Sequence, residues 1–160
     1  MHTRLLAILA AVTATMPFCS SEAIVGLNRD DLIRVYGPVQ EESKSVYGQQ
    51  FTDLIFLAKS KEDGNNIIIA ATMVKGRCGA VSYVKRDPND KPAPLTRQEI
   101  TNQMVASSKN AGGTWRQVSR EEWRTDPGPE VPGGLAARWR RPELFQIFTR
   151  EMLEKTGGRW

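Results

Sequence analysis

Three apolar stretches separated by short turn sequences constrain the fold of this chain more than any other feature. The stretches run from Phe51 to Ala58, from Ile67 to Val74 and from Cys78 to Val84. The segments between them, 62–66 and 75–77, supply the glycine, asparagine and aspartate residues that form tight turns. We therefore predict three consecutive strands joined as an antiparallel meander.

Two helix starts precede strand-forming regions. Asn28 and Thr96 are residue types that cap helix N-termini, and an acidic residue, Asp31 or Glu99, follows each three positions later. The first helix is expected to end at Gly37. The second is expected to run to about residue 109. Weaker strand patterns follow it at 114–118, 121–125, 135–140 and 144–149, and 150–155 is predicted to form a helical turn.

These elements predict an α+β fold of two helix-then-antiparallel-meander units packed as a tandem repeat. The first unit covers 24–86 and the second covers 95–160, with 87–94 between them as an extended, proline-rich linker.

The first unit resembles a known family. A helix that ends in Tyr36-Gly37-Pro38, followed by a meander whose last strand is contained in 75–83, is similar to the small outer-membrane assembly lipoproteins of the SmpA/OmlA type. Two such units in tandem resemble the β-lactamase inhibitor protein fold. The resemblance implies a non-catalytic envelope protein that binds another protein through its sheet, and it transfers no functional residue.

The N-terminus has the layout of a secretory signal peptide. Arg4 precedes an apolar run from Leu5 to Val12, and the small residues Ser21 and Ala23 occupy the −3 and −1 positions of a cleavage site. The run is shorter than the roughly 20 residues that span a bilayer. We expect 1–23 to be removed after Ala23, which predicts a secreted or periplasmic protein.

Cleavage would leave a chain with few of the residue types that enzymes use for catalysis. The histidine His2 and the cysteine Cys19 would both be lost, and Cys78 would be the cysteine that remains. A chain without histidine has no Ser–His or Cys–His pair and no imidazole metal ligand. We therefore expect no enzyme activity, no metal and no cofactor. Cys78 is interpreted as a small apolar residue in a strand, with a thiol crosslink to a partner as the alternative.

A carboxylate-based hydrolase of the cell envelope is the alternative function. Two distant carboxylates can meet in a fold, as they do in glycosidases. The adjacent Glu121 and Glu122 do not suit such a pair, because neighbouring residues of a strand point to opposite faces.

Every tryptophan is next to an arginine in the sequence. The pairs are Trp115-Arg116, Trp123-Arg124, Arg138-Trp139-Arg140 and Arg159-Trp160. In a strand, such neighbours point to opposite faces, so tryptophans on the core side and arginines in water form one interpretation. The other is a protein-binding surface, because tryptophan and arginine are enriched at binding hot spots. The candidate binding residues are Trp115, Trp123, Arg138, Trp139 and Arg140.

Charge patterning disfavours two other classes of partner. Glu121, Glu122 and Glu143 lie among the arginines, so no continuous basic groove for phosphates is predicted, and we expect no nucleic acid partner. Attraction to an anionic membrane would contribute only about 1 kcal/mol per basic residue, so membrane contact is expected to be peripheral at most. The sequence predicts a non-catalytic protein that binds another protein or an envelope component through its sheet.

Overall fold

The structure is a computed structural model that describes residues 24–111, 113–127, 131 and 133–157. The elements in chain order are α1 (Arg29–Tyr36), β1 (Glu41–Ser45), β2 (Gly48–Lys59), β3 (Asn66–Val74), β4 (Arg77–Arg86), α2 (Arg97–Ala111), β5 (Trp115–Ser119), β6 (Glu122–Thr125), β7 (Leu135–Arg141), β8 (Leu144–Thr149) and α3 (Arg150–Lys155). The predicted signal peptide, 1–23, and the pair Arg159-Trp160 lie outside the described residues.

All eight strands form one antiparallel sheet in the order β1-β2-β3-β4-β8-β7-β6-β5. The predicted fold class, two helix-then-antiparallel-meander units packed as a tandem repeat, is therefore wrong. The strands β4 and β8 pair along Ala80–Val84 and Leu144–Phe148, and this joins the two halves of the chain into a continuous sheet. Both strands carry buried side chains on both faces, as suits strands at the centre of a sheet. Because β4 and β8 pair with each other, neither strand forms an unpaired edge of the sheet.

The capping residues predicted from the sequence fix both longer helices. The Asn28 side chain accepts a hydrogen bond from the Asp31 backbone N–H at 2.9 Å, and α1 ends at Gly37, whose φ of 82° favours glycine. At the start of α2, the Glu99 N–H donates to Thr96 Oγ1 at 3.1 Å, and the Thr96 N–H donates to Glu99 Oε2 at 2.8 Å. The second arrangement is a complete capping box.

One face of the sheet packs against α1 and α2 and forms the main core. The core contains buried residues from both helices and from five strands: Leu32, Tyr36, Ile100, Met104, Leu54, Phe56, Ile67, Ile69, Val81, Tyr83, Leu135, Ala137, Phe145 and Ile147. We call this side the helix face. The opposite side, the open face, is covered at one end by α3, where Met152 packs with Phe51, Ala80 and Phe148.

A buried ion-pair cluster fastens α2 to the sheet. Lys85 of β4 is completely buried, and its Nζ lies 2.9 Å from both carboxylate oxygens of Glu99 and 2.7 Å from Asp63 Oδ2. Ser60 Oγ donates a further hydrogen bond to Glu99 Oε1 at 2.5 Å. Burial alone would lower the pKa of Lys85, but its hydrogen bonds to Asp63 and Glu99 and the charges of these carboxylates outweigh burial and raise that pKa.

The segment 87–94, predicted to be an extended linker, forms a hydrogen-bonded turn. The Asp87 N–H donates to the Lys91 carbonyl at 2.9 Å, and Pro92 forms an isolated bridge with Arg86. Ala93 is buried beyond the turn. The chain therefore returns along the sheet before it enters α2.

Candidate binding surface

Strand alternation separates the predicted binding residues onto different faces. Trp115, Trp123 and Trp139 are half-buried and pack against the main core on the helix face. The ring of Trp123 meets Phe145 edge-on, with ring centroids 6.4 Å apart and an angle of 73° between the planes. These contacts match the interpretation in which the tryptophans contribute to the core.

Two of the tryptophans also have partners for their indole N–H groups. Trp115 Nε1 donates to the Met104 carbonyl of α2 at 2.6 Å, and Trp139 Nε1 donates to the Pro142 carbonyl at 3.3 Å. Trp115 therefore connects the edge strand β5 to α2. Trp139 braces the turn between β7 and β8.

Arg138 and Arg140 alternate with Trp139, and register places Arg138 on the open face opposite Gln146. Arg138 forms an ion pair with Glu122 on the neighbouring strand β6. Arg140 is exposed. The five predicted residues therefore do not form one continuous surface, since the sheet lies between the tryptophans and Arg138.

The open face carries a part-exposed row of aliphatic residues that the sequence analysis did not single out. Leu57, Ile68, Val84 and Leu144 pair successively across β2, β3, β4 and β8. Ile55 lies on the same face two residues before Leu57. We call these five residues the aliphatic band. All five are half-buried, whereas Ile67 and Ile69, the neighbours of Ile68 in β3, are 0% exposed on the helix face.

Charged residues stand at both ends of the band. Leu144 pairs in register with Arg141. At the opposite edge, Glu41 of β1 pairs with Ile55. The band thus runs from the carboxylate of Glu41 on one side to the guanidinium group of Arg141 on the other.

Tyr47 marks the covered end of the open face. Gln146 Nε2 donates hydrogen bonds to Tyr47 Oη at 2.8 Å and to Ser82 Oγ at 3.0 Å. The Tyr47 ring also meets Phe148 edge-on at 5.8 Å. Burial raises the pKa of Tyr47, and the hydrogen bonds with Ser82 and Gln146 offset part of this effect. The phenol therefore stays neutral and holds the turn between β1 and β2 against the sheet.

Cys78 is buried, at 1% exposure, with its Sγ 3.2 Å from the Ala80 carbonyl. Burial raises the pKa of the thiol to about 12. Because the thiolate is the reactive form, a crosslink to a partner would require this strand to open first. In the part of the chain that the structure describes, Cys78 is not in a disulfide.

The adjacent carboxylates Glu121 and Glu122 lie in different surroundings. Glu121 is exposed in a turn, and Glu122 is engaged by Arg138. The described ranges contain no group of three or more histidine, cysteine, aspartate and glutamate residues that could hold a metal ion. Within the same ranges, no helix is long and apolar enough to cross a membrane.

Comparisons with known proteins yield one structural similarity. No protein-family model matches the chain, and no curated protein matches it. Among solved structures, it is similar to the 1.5 Å crystal structure of an extracellular protein containing a SCP domain from Bacillus anthracis str. Ames, with a TM-score of 0.42 and 8% identity. The similarity covers 90% of this chain and 51% of that protein, so the chain spans about half of its length. No function is carried over from a match of this kind.

Proposed function

We propose that this protein is a non-catalytic binding protein that engages another protein through the open face of its sheet. The observation that carries the proposal is the aliphatic band. Its five residues are part-exposed on the open face, and α3 and Tyr47 cover that face only at one end. Contiguous apolar surface rimmed by polar residues is typical of protein interaction sites.

The charges around the band define the chemistry of the partner. Arg141 stands beside Leu144 at the β7 end of the band, and Glu41 stands at the β1 end. A complementary partner presents an apolar strip with a carboxylate at one end and a basic group at the other. Such charges set the orientation and the association rate, while the apolar strip supplies most of the affinity.

We further infer that the protein works outside the cytoplasm, after removal of 1–23. The basic start, the apolar run and the small residues before Ile24 support this location. Intact mass of the native protein from its host tests the inference. A mass equal to that of Ile24–Trp160 is expected, and a protein that still carries 1–23 would contradict it.

Photo-crosslinking tests the binding surface. A benzophenone amino acid replaces Ile68 at the centre of the band, and in a control protein it replaces Val105, which is 48% exposed on α2. The expected result is one defined heterologous protein crosslinked through position 68 and absent with position 105. That protein is then purified, and its affinity is measured by calorimetry against the wild type, Leu144→Asp and Val105→Ser.

Leu144→Asp should weaken binding at least about tenfold, since it removes an apolar side chain from the interface and places a carboxylate where the partner's own carboxylate is expected. Val105→Ser should leave the affinity within about twofold of wild type. Crosslinking of position 68 to a second copy of this chain would make the band a self-association surface and overturn the proposal. Equal affinities of Leu144→Asp and the wild type for the purified partner would overturn it as well.

A further inference from the structure

An arginine-lined cleft lies beside the turn between β7 and β8, apart from the aliphatic band. Its volume is about 340 Å³, which is within the range of small-ligand and peptide sites. It opens between the start of α2, the turn between β5 and β6, and the turn between β7 and β8. Its lining residues are Arg97, Arg120, Glu121, Trp139, Arg140, Arg141 and Pro142.

The cleft concentrates positive charge. Its lining includes Arg97, Arg120 and Arg141, and the only carboxylate in that lining is that of Glu121. Across the described ranges, no ion pair involves Arg97 or Arg120, and Arg141 meets Glu143 only at 3.9 Å. Mutual repulsion of these groups destabilises the folded state, so their convergence is not explained by folding.

Arg97 lies at a position where a positive charge is unfavourable for the folded protein. It is the first residue of α2, where the aligned peptide dipoles already create a partial positive charge. A cation at this position is electrostatically unfavourable, whereas an anion there is stabilised. The Arg97 side chain is therefore well placed to bind a negatively charged ligand.

Hydrogen bonds hold the walls of the cleft together before any ligand arrives. The Leu95 N–H donates to the Pro142 carbonyl at 2.7 Å, which joins the entry of α2 to the turn between β7 and β8. The Trp139 N–H donates to the Glu121 carbonyl at 2.9 Å, which joins β7 to the turn between β5 and β6. A preorganised site loses less conformational entropy on binding.

We propose that this cleft binds an acidic peptide segment. The guanidinium groups of Arg97, Arg120 and Arg141 engage its carboxylates, a pairing that planar guanidinium makes with two parallel hydrogen bonds. Trp139 and Pro142 supply an apolar wall for the rest of the segment.

Glu121 distinguishes such a segment from a dense polyanion. A ligand with a charge on every unit would meet this carboxylate and be repelled, whereas a peptide can place a backbone N–H or a neutral residue there. The site involves α2 and the turns and shares only Arg141 with the charged end of the band, so substitutions of Arg97 and Arg120 test it separately from the proposed function.

Fluorescence anisotropy with a labelled peptide of about ten residues, alternating glutamate and alanine, tests the proposal. The same peptide with glutamine in place of glutamate is the neutral control ligand. The protein variants are Arg97→Gln/Arg120→Gln and a charge-matched control, Lys44→Gln/Lys61→Gln, whose two lysines are exposed in the first half of the chain. All four substituted residues are exposed, so circular dichroism should show unchanged folding.

The wild type should bind the acidic peptide and not the glutamine peptide, with affinity that falls as salt is raised from about 50 to 300 mM. Arg97→Gln/Arg120→Gln should weaken binding at least about tenfold, and the lysine variant should stay within about twofold of wild type. Equal affinity in the two double variants, or no binding at millimolar peptide, would overturn the proposal. Tighter binding of a heparin oligosaccharide than of the peptide, lost in the arginine variant, would overturn it by assigning the cleft to a sulfated polysaccharide.

Discussion

Removing the buried ammonium of Lys85 should cost more stability than any other single charge substitution in the described structure. In Lys85→Met, Glu99 remains 6% exposed without the group that lies 2.9 Å from both of its oxygens. Breaking a buried ion pair by removal of one partner costs about 3–5 kcal/mol. Ser60 Oγ and the Thr96 N–H still donate to Glu99, which places the expected loss near the lower end, about 3 kcal/mol.

Guanidinium chloride unfolding at pH 7, followed by tryptophan fluorescence, measures this loss as a shift of the midpoint. Lys59→Met is the matched control. Lys59 lies on β2, which β3 separates from the strand of Lys85. It is half-buried, and its Nζ donates one hydrogen bond to Asn66 Oδ1 at 2.6 Å. Loss of that neutral partner should reduce the free energy of unfolding by no more than about 1–2 kcal/mol.

A second substitution gives the sharper test. Glu99→Gln in the wild type should destabilise, because Lys85 then keeps only Asp63, which is 41% exposed, as its counter-ion. Glu99→Gln in the Lys85→Met background should stabilise, because it removes a buried charge while the amide oxygen still accepts from Thr96. A change of the same sign in both backgrounds, or a Lys85→Met loss no larger than that of Lys59→Met, would refute the reasoning.

The pH dependence of stability follows from the raised pKa of Lys85. A group whose pKa is higher in the folded state contributes its full stability below the unfolded-state value of about 10.4 and loses it as pH rises through the folded-state value. The difference in unfolding free energy between the wild type and Lys85→Met should therefore be constant near neutral pH and shrink above about pH 10. A difference that stays constant into that alkaline range would contradict the assigned contacts.

Three further substitutions or reactions test local features. Cys78, with a pKa of about 12 caused by burial, should react with a thiol reagent at pH 8 at least about a hundredfold more slowly in the native state than in guanidinium chloride. Thr96→Ala should remove the cap of α2 and lower the unfolding free energy by about 1 kcal/mol, read from the denaturation midpoint. Gly134→Ala should cost about 1–3 kcal/mol in the same assay, because Gly134 has a φ of 74° and an added Cβ would lie 2.7 Å from the Thr125 carbonyl oxygen. A native Cys78 that reacts at the unfolded rate, or unchanged midpoints in the two variants, would contradict these assignments.

Local structure was predictable from the sequence where periodicity and turn residues agree. The stretches beginning at Phe51, Ile67 and Cys78 lie within β2, β3 and β4, and the capping residues Asn28 and Thr96 were identified correctly. These features depend on residues close together in the chain. The short strand β1 was missed because Glu41–Ser45 is charged and polar, as suits a sheet edge that must avoid further pairing.

Features that depend on distant residues were not predictable in the same way. Alternation shows which side chains of a strand share a face, but it does not show which strand will lie beside another, so the pairing of β4 with β8 was missed. The sequence contains one indication that Lys85 is buried. Lys85 continues the alternation of Val81 and Tyr83, and it therefore occupies a core-facing position that requires a counter-charge.

The same alternation decides which substitutions can test binding. Trp115 and Trp123 pack against the core, and Trp139 also braces the wall of the arginine cleft, so replacing any of them alters folding and surface together. The exposed arginines allow a cleaner test, because Arg97 and Arg120 can lose their charge without leaving a cavity. A binding defect in an arginine variant of unchanged stability therefore reports on the surface, whereas a defect in a tryptophan variant reports first on the core.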